Sequence, residues 1–186
     1  MQLINIKNVN ASWQKGISLV EVLIALLVFS IGMLGVASLQ VVSRKSSYEA
    51  QQRQEAVLLA NEMVARMKAS GQTFTEMETS YGSTFNTKDN AGTSGCGAIN
   101  SACTKANIAA NDIYEWGRSV EAAALGGREG LKSALGCVSF DSDNNVISVT
   151  VSWLAMTGIG GSPGSTTCAI QNGGDKQRHV TIKTYI

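Results

Sequence analysis

Between Glu21 and Arg44 the chain carries no charge: the 22 residues from Val22 to Ser43 read VLIALLVFSIGMLGVASLQVVS. A helix crosses a bilayer with about 20 apolar residues at roughly 1.5 Å each, so this run is long enough to span. It is also too long for the ordinary core helix of a chain of 186 residues. The sixteen residues before Ile17 contain Lys7 and Lys15, no acid, and end Gln14-Lys15-Gly16. A positive flank ahead of the apolar run keeps the start of the chain in the cytoplasm and sends the remainder outward. A secretory signal peptide has a similar basic start, and Ala37 imitates its small-residue cleavage site. Its apolar stretch is usually about 7 to 15 residues and free of charge, whereas this one is longer and contains Glu21.

Glu21 is the residue that a plain membrane anchor does not explain. A carboxylate in a membrane helix costs a few kcal/mol unless it is paired or lies near the interface. Cutting the chain between Gly16 and Ile17 would create a partner, because the freed α-amino group has an unperturbed pKa of about 7.7 to 8.0 and is mostly positive at neutral pH. An acid in the first turn also suits the helix macrodipole. In a stack of identical helices the amine and the carboxylate can pair between neighbours. The plainer alternative is a Glu21 solvated at the lipid headgroups.

Gly16-Ile-Ser-Leu-Val-Glu21, followed by an uninterrupted apolar helix, resembles the class III signal of type IV pilins and type II secretion pseudopilins. The resemblance implies that a prepilin peptidase cuts after Gly16 and methylates Ile17, and that Glu21 contacts a neighbouring subunit's amine during assembly. Ile17 stands where phenylalanine is commonest in that family. The helix also lacks the proline that kinks many major pilins, and both departures favour a minor subunit. Residues 1–16 are then a cleaved leader and 17–43 the transmembrane and assembly half of the helix.

Residues 44–70 continue the helix, because they contain neither proline nor glycine and are rich in Ala, Glu, Gln, Lys, Arg and Leu. Ala56, Leu59, Met63 and Met67 recur at three- and four-residue intervals and form one buried face, with Arg53, Glu62, Arg66 and Lys68 on the wet side. The methionines read as packing rather than as a ligand set. Gly71 supplies the stop.

Residues 71–186 read as a globular head. Thr73 to Asn107 is a polar loop region, and a second helix runs from about Asn107 to Leu125 with Ile108, Ile113, Trp116, Val120 and Ala124 on one face, ended by Gly126-Gly127. Three strands follow: Lys132 to Phe140, Val146 to Met156, and Arg178 to Ile186. In the middle one Ile147, Val149, Val151 and Trp153 alternate with Ser148, Thr150 and Ser152, the period of a sheet with one buried face. Asp141-Ser-Asp-Asn-Asn145 makes a hairpin of the first two strands. The spacing Asp141-x-Asp143-x-Asn145 also opens an EF-hand loop, but Val146 and Ser152 stand where that loop needs its glycine and its bidentate acid. A hairpin turn is the reading that Asp and Asn support.

Four cysteines in a head outside the cytoplasm favour disulfides over metal. Three pairings are open. The expected ones are Cys96 with Cys103, a short local loop, and Cys137 with Cys168, tying the loop from Gly158 to Gly174 to the sheet. With no CxxC pair and a single histidine, no metal and no cofactor are expected. His179 reads as a solvated strand residue. No GxSxG, HExxH or P-loop occurs, so an enzyme is not expected. With 15 basic and 14 acidic residues and no long run of either sign, no nucleic-acid footprint is expected either.

The expected fold is α+β: a long N-terminal α-helix packed on an antiparallel sheet, in the pilin manner. The run Ser30 to Gln40, with Asp112-x-x-x-Trp116 and Val149-Thr-Val-Ser-Trp153, is similar to the PilV minor pilins. That resemblance implies a subunit that primes assembly of a type IV pilus and contributes to a tip complex, with other minor pilins, the major pilin and the prepilin peptidase as partners. It implies residence in the inner membrane with a periplasmic head, then in the fibre at the cell surface. A type II secretion pseudopilin is the near alternative, and a membrane-stalked binding module for DNA or surfaces the more distant one.

Overall fold

A computed structural model of the chain describes residues 16–82, 84–88, 96, 103–125, 130–156, 158, 168–170 and 174–185. The chain forms two compact units, Met1–Lys45 and Ser46–Ile186. The first helix, α1, spans Leu19–Ala69. In the first unit its large apolar side chains, from Leu19 to Val42, are all exposed. Ser30 and Ser38 return their hydroxyls to the backbone, donating to the carbonyls of Leu26 at 2.7 Å and Gly35 at 2.8 Å. Their polar groups are therefore satisfied within the helix, as an apolar environment requires.

The fold is α+β, a long N-terminal helix packed with an antiparallel sheet in a pilin-like arrangement. In the second unit α1 buries Gln52, Ala56, Leu59, Ala60, Met63, Val64 and Met67, the face predicted from the spacing together with its small neighbours. The helix ends at Ala69, and Gly71 adopts φ +63°, a left-handed cap that glycine takes without strain.

Residues after Gly71 depart from the predicted loop. They form a helix, α2, over Phe74–Tyr81, opened by a reciprocal cap in which the Glu76 amide donates to Thr73 Oγ1 and the Thr73 amide donates to Glu76 Oε2. The sequence signal was Thr73-x-x-Glu76, a capping box read as loop because of the polar composition around it. A three-residue strand, β1, follows at Thr84–Asn86. The next helix, α3, spans Lys105–Leu125 and starts two residues before its predicted Asn107, since Thr104 caps it: its Oγ1 accepts from the Asn107 amide at 3.2 Å. Its buried face is Ala109, Ile113, Trp116, Val120 and Ala123, leaving the expected Ile108 and Ala124 only half buried. Ala109 and Ala123 take the places assigned to Ile108 and Ala124. Gly126-Gly127 lie outside the described residues.

Three further strands are β2 at Leu135–Asp141, β3 at Val146–Leu154 and β4 at Gln177–Tyr185. They and β1 form one antiparallel sheet in the order β1-β2-β3-β4. The register sets Val138 beside Val149 and Val149 beside Ile182. The first of the three begins at Leu135 rather than Lys132 because Ser133 holds φ +54°, which no regular strand accepts. Asn145, at φ +52°, closes the β2–β3 turn, and Asp141 accepts from the Asn144 amide and side chain.

Ile147, Val149, Val151 and Trp153 of β3 join Val138, the α1 face and the α3 face in one core. Its tightest joint is Trp116, fully buried, whose indole Nε1 donates to the Leu59 carbonyl at 2.8 Å. The ring fits where Gly136 has no side chain: a Cβ there would stand 2.5 Å from the Trp116 ring. Between α1, α2 and α3 a polar set is shared. Tyr81 donates to Asp112 at 2.6 Å, and Arg66 pairs with Glu62 at 2.7 Å and reaches Asp112 at 3.7 Å. Burial, followed by the adjacent Asp112 carboxylate, holds the Tyr81 phenol well above its ordinary pKa.

Two outcomes follow for the second unit. Gly136→Ala is expected to lower stability by about 1–3 kcal/mol, the usual cost of overpacking, read from denaturant midpoints of the two chains; an unshifted midpoint would mean that the indole slot is slack. The Lys105 ammonium, then the Thr73 amide, holds the Glu76 carboxyl below its ordinary pKa. A carboxyl depressed on folding stabilises above its unfolded pKa and loses that contribution as pH falls through the folded value. Lys105→Gln should therefore raise the Glu76 midpoint in a carboxyl-carbon NMR titration, and an unmoved midpoint would remove Lys105 as the cause.

Candidate functional site: the start of the apolar helix

Gly16, Ile17 and Glu21 fall at the first turn of α1. The Ser18 carbonyl accepts from the amides of Glu21 at 3.0 Å and Val22 at 3.3 Å, which starts the helix one residue before Leu19. Glu21 is thus an acid in the first turn, where the unpaired amides of a helix N-terminus favour negative charge. Ile17 is 77% exposed. A Cβ built on Gly16 would meet nothing within 4 Å, and the same holds for Gly32 and Gly35 inside the helix. Packing among the described residues therefore does not require a glycine at any of the three positions. Gly32 and Gly35, in the helix interior, each cost about 1 kcal/mol relative to alanine. The leader residues up to Lys15 lie outside the described residues.

Of the other candidate residues, the cysteines stand in the second unit. The structure joins Cys96 to Cys103, with Cα atoms 5.8 Å apart, and Cys137 to Cys168, with Cα atoms 5.7 Å apart. Cys137 pairs with Thr150 in the register, so the alternation of the strand puts it on the sheet face opposite Val138 and the core. Ser152, assigned from its alternation to the wet side, is fully buried there. Its Oγ donates to the Cys168 carbonyl at 2.7 Å, and Gln177 Nε2 donates to the same carbonyl at 3.0 Å. Gln177 Oε1 in turn accepts from the Ile170 amide at 3.2 Å. Gln177 was not singled out in the sequence, and no local pattern marks the burial of either residue, since what covers them arrives from the loop at Cys168.

The described residues contain no group of three or more His, Cys, Asp or Glu side chains placed to hold a metal ion. His179 is exposed on β4. A cleft between α3, β2 and residues 169–170 is walled by Tyr114, Arg118 and Glu121, with the Arg118 guanidinium 5.9 Å from the centre of the Tyr114 ring.

The decisive comparison concerns the helix start. Residues 14–37 match the prokaryotic N-terminal methylation motif. The chain thus carries a type IV pilin-like class III signal, and this motif indicates a structural subunit, pilin-like or pseudopilin-like, rather than an enzyme. The matched segment contains Gly16, Ile17 and Glu21 and ends within the exposed apolar stretch, which is long and apolar enough to cross a membrane. Signal and helix together fit a membrane-anchored pilin-like protein. No curated protein and no solved structure matches the chain.

Because Glu21 faces away from any packed core, Glu21→Gln is expected to leave helicity and unfolding midpoint unchanged within about 0.5 kcal/mol, as measured by circular dichroism in detergent. A clear loss of helix would make Glu21 a structural residue of the chain itself.

Proposed function

We propose that this chain is a minor pilin, similar to the PilV group, cut after Gly16 by a prepilin peptidase, methylated at Ile17 and built into a type IV pilus. The reading is carried by one coincidence: the methylation motif at residues 14–37 falls on a glycine that packing among the described residues does not require and opens a helix whose apolar side chains those residues leave uncovered. Cleavage frees the amine that Glu21 lacks. Held in the inner membrane, the helix waits in lipid with the head on the periplasmic side; on assembly it exchanges lipid contacts for those of neighbouring helices, and Glu21 meets a neighbour's amine. Transfer between two apolar surroundings keeps the uncharged stretch out of water throughout. The subunit performs no covalent chemistry of its own.

The run from Ser30 to Gln40, with Asp112, Trp116, Val149 and Trp153, supports a minor pilin that primes assembly with other minor pilins and the major pilin. A type II secretion pseudopilin would share the same signal and the same helix. Capture of partners separates the two: minor and major pilins in one case, secretion-system components in the other.

The test is the intact mass and N-terminal sequence of the protein from cells with and without prepilin peptidase. The expected result is a chain beginning at methylated Ile17 only when the peptidase is present. A chain still beginning at Met1, or cut near Ala37, would overturn the reading.

A further inference from the structure

The apolar stretch of α1 ends on two adjacent cations, Arg44 and Lys45, both exposed. Among the described residues the ion pairs are Arg66 with Glu62, Arg66 with Asp112 and Lys105 with Glu76, so neither cation is committed to a carboxylate there. From Glu21 to Arg44 the helix rises roughly 35 Å, and a tilt of about 20° reduces the depth it spans to roughly 32 Å, against a hydrocarbon core of about 30 Å. With Glu21 in one headgroup layer, Arg44 and Lys45 fall in the other. Two adjacent side chains on a helix diverge by about 100°, so the pair reaches around the helix and can hold two lipid phosphates rather than one. Long basic side chains extend their charged ends toward such a layer while their methylene stems stay on apolar surface.

Arg44 and Lys45 stand after the span, at the opposite end from the Lys7 and Lys15 flank that precedes it. The nearest acid on the helix, Glu49, lies four residues beyond Lys45, and no ion pair among the described residues joins it to either cation.

Resting on the membrane-spanning reading above, we infer that Arg44 and Lys45 form a binding site for anionic phospholipid headgroups, which fixes the depth of the helix in the bilayer. Each basic residue near an anionic surface is worth about fivefold in association. The pair thus selects phosphatidylglycerol-type lipids over zwitterionic ones and resists being drawn into the hydrocarbon.

The experiment places the full chain in phosphatidylcholine vesicles with a trace of spin-labelled phosphatidylglycerol or spin-labelled phosphatidylcholine and measures the motionally restricted fraction of each by electron paramagnetic resonance. The expected result is an excess of restricted phosphatidylglycerol that falls several-fold in the Arg44→Gln/Lys45→Gln chain and fades in high salt, with circular dichroism unchanged. Lys7 and Lys15 are common to both chains and cancel in the comparison. Equal selectivity in wild type and variant overturns the inference while leaving the span intact. A restricted component for neither lipid means that the helix is not in the bilayer, and overturns both.

Discussion

An α-helix satisfies its own backbone hydrogen bonds but leaves its side chains to whatever surrounds it. In α1 this division decides everything else about the molecule. Its first half displays Leu, Ile, Val and Phe around its circumference and leaves them exposed, while its second half lays a face of alanines, leucine and methionines into a core. The same continuous helix therefore faces two environments, and the boundary falls where charge returns at Arg44. Burying an apolar side chain is worth about 1.5–3 kcal/mol, so an uncovered surface of this length is not a tolerable state in water. Lipid or other helices would complete it.

The second unit is held by a different logic. Its core depends on size matching: the indole of Trp116 occupies the space that Gly136 leaves and bonds to a carbonyl of α1, so one side chain registers helix against helix and helix against sheet. On the opposite face of the sheet the Cys137–Cys168 disulfide is backed by Ser152 and Gln177, which both donate to the Cys168 carbonyl. Covalent and hydrogen-bonded restraints thus converge on one residue. Closing a ring of this length removes roughly 3–4 kcal/mol of freedom from the unfolded chain in the loop-entropy account, and the two side chains direct where the ring closes.

The elements that were legible in the sequence were those with a long period. The run from Val22 to Ser43, the three- and four-residue recurrence of Ala56, Leu59, Met63 and Met67, and the alternation from Ile147 to Trp153 each repeat often enough to outweigh local accidents. The misreadings came where the signal was short or came from elsewhere. Thr73 and Glu76 did announce a helix, but Phe74, Met77 and Tyr81 are spread among Thr, Glu and Ser in only eight residues, and the stretch looked like loop. Thr84–Asn86 is too brief for any period and pairs only because β2 offers it an edge. Ala109 and Ala123 are buried in the shared core, and Ser152 because the loop at Cys168 covers it; both are consequences of tertiary packing. At the helix start the residue types and their spacing were readable, whereas the open space around Gly16 among the described residues is a property of the folded chain alone.

The sheet has two unequal margins. β1 contributes three residues on one side and β4 nine on the other. A margin of three residues offers too few backbone groups to recruit a further strand, whereas nine form a usable template. Arg178 and Lys183, set along β4, put positive charge beside that template and disfavour casual pairing with a copy of itself. Among the described residues the sheet is therefore one-sided: the long margin carries the positive charge, and the short one has little backbone to offer.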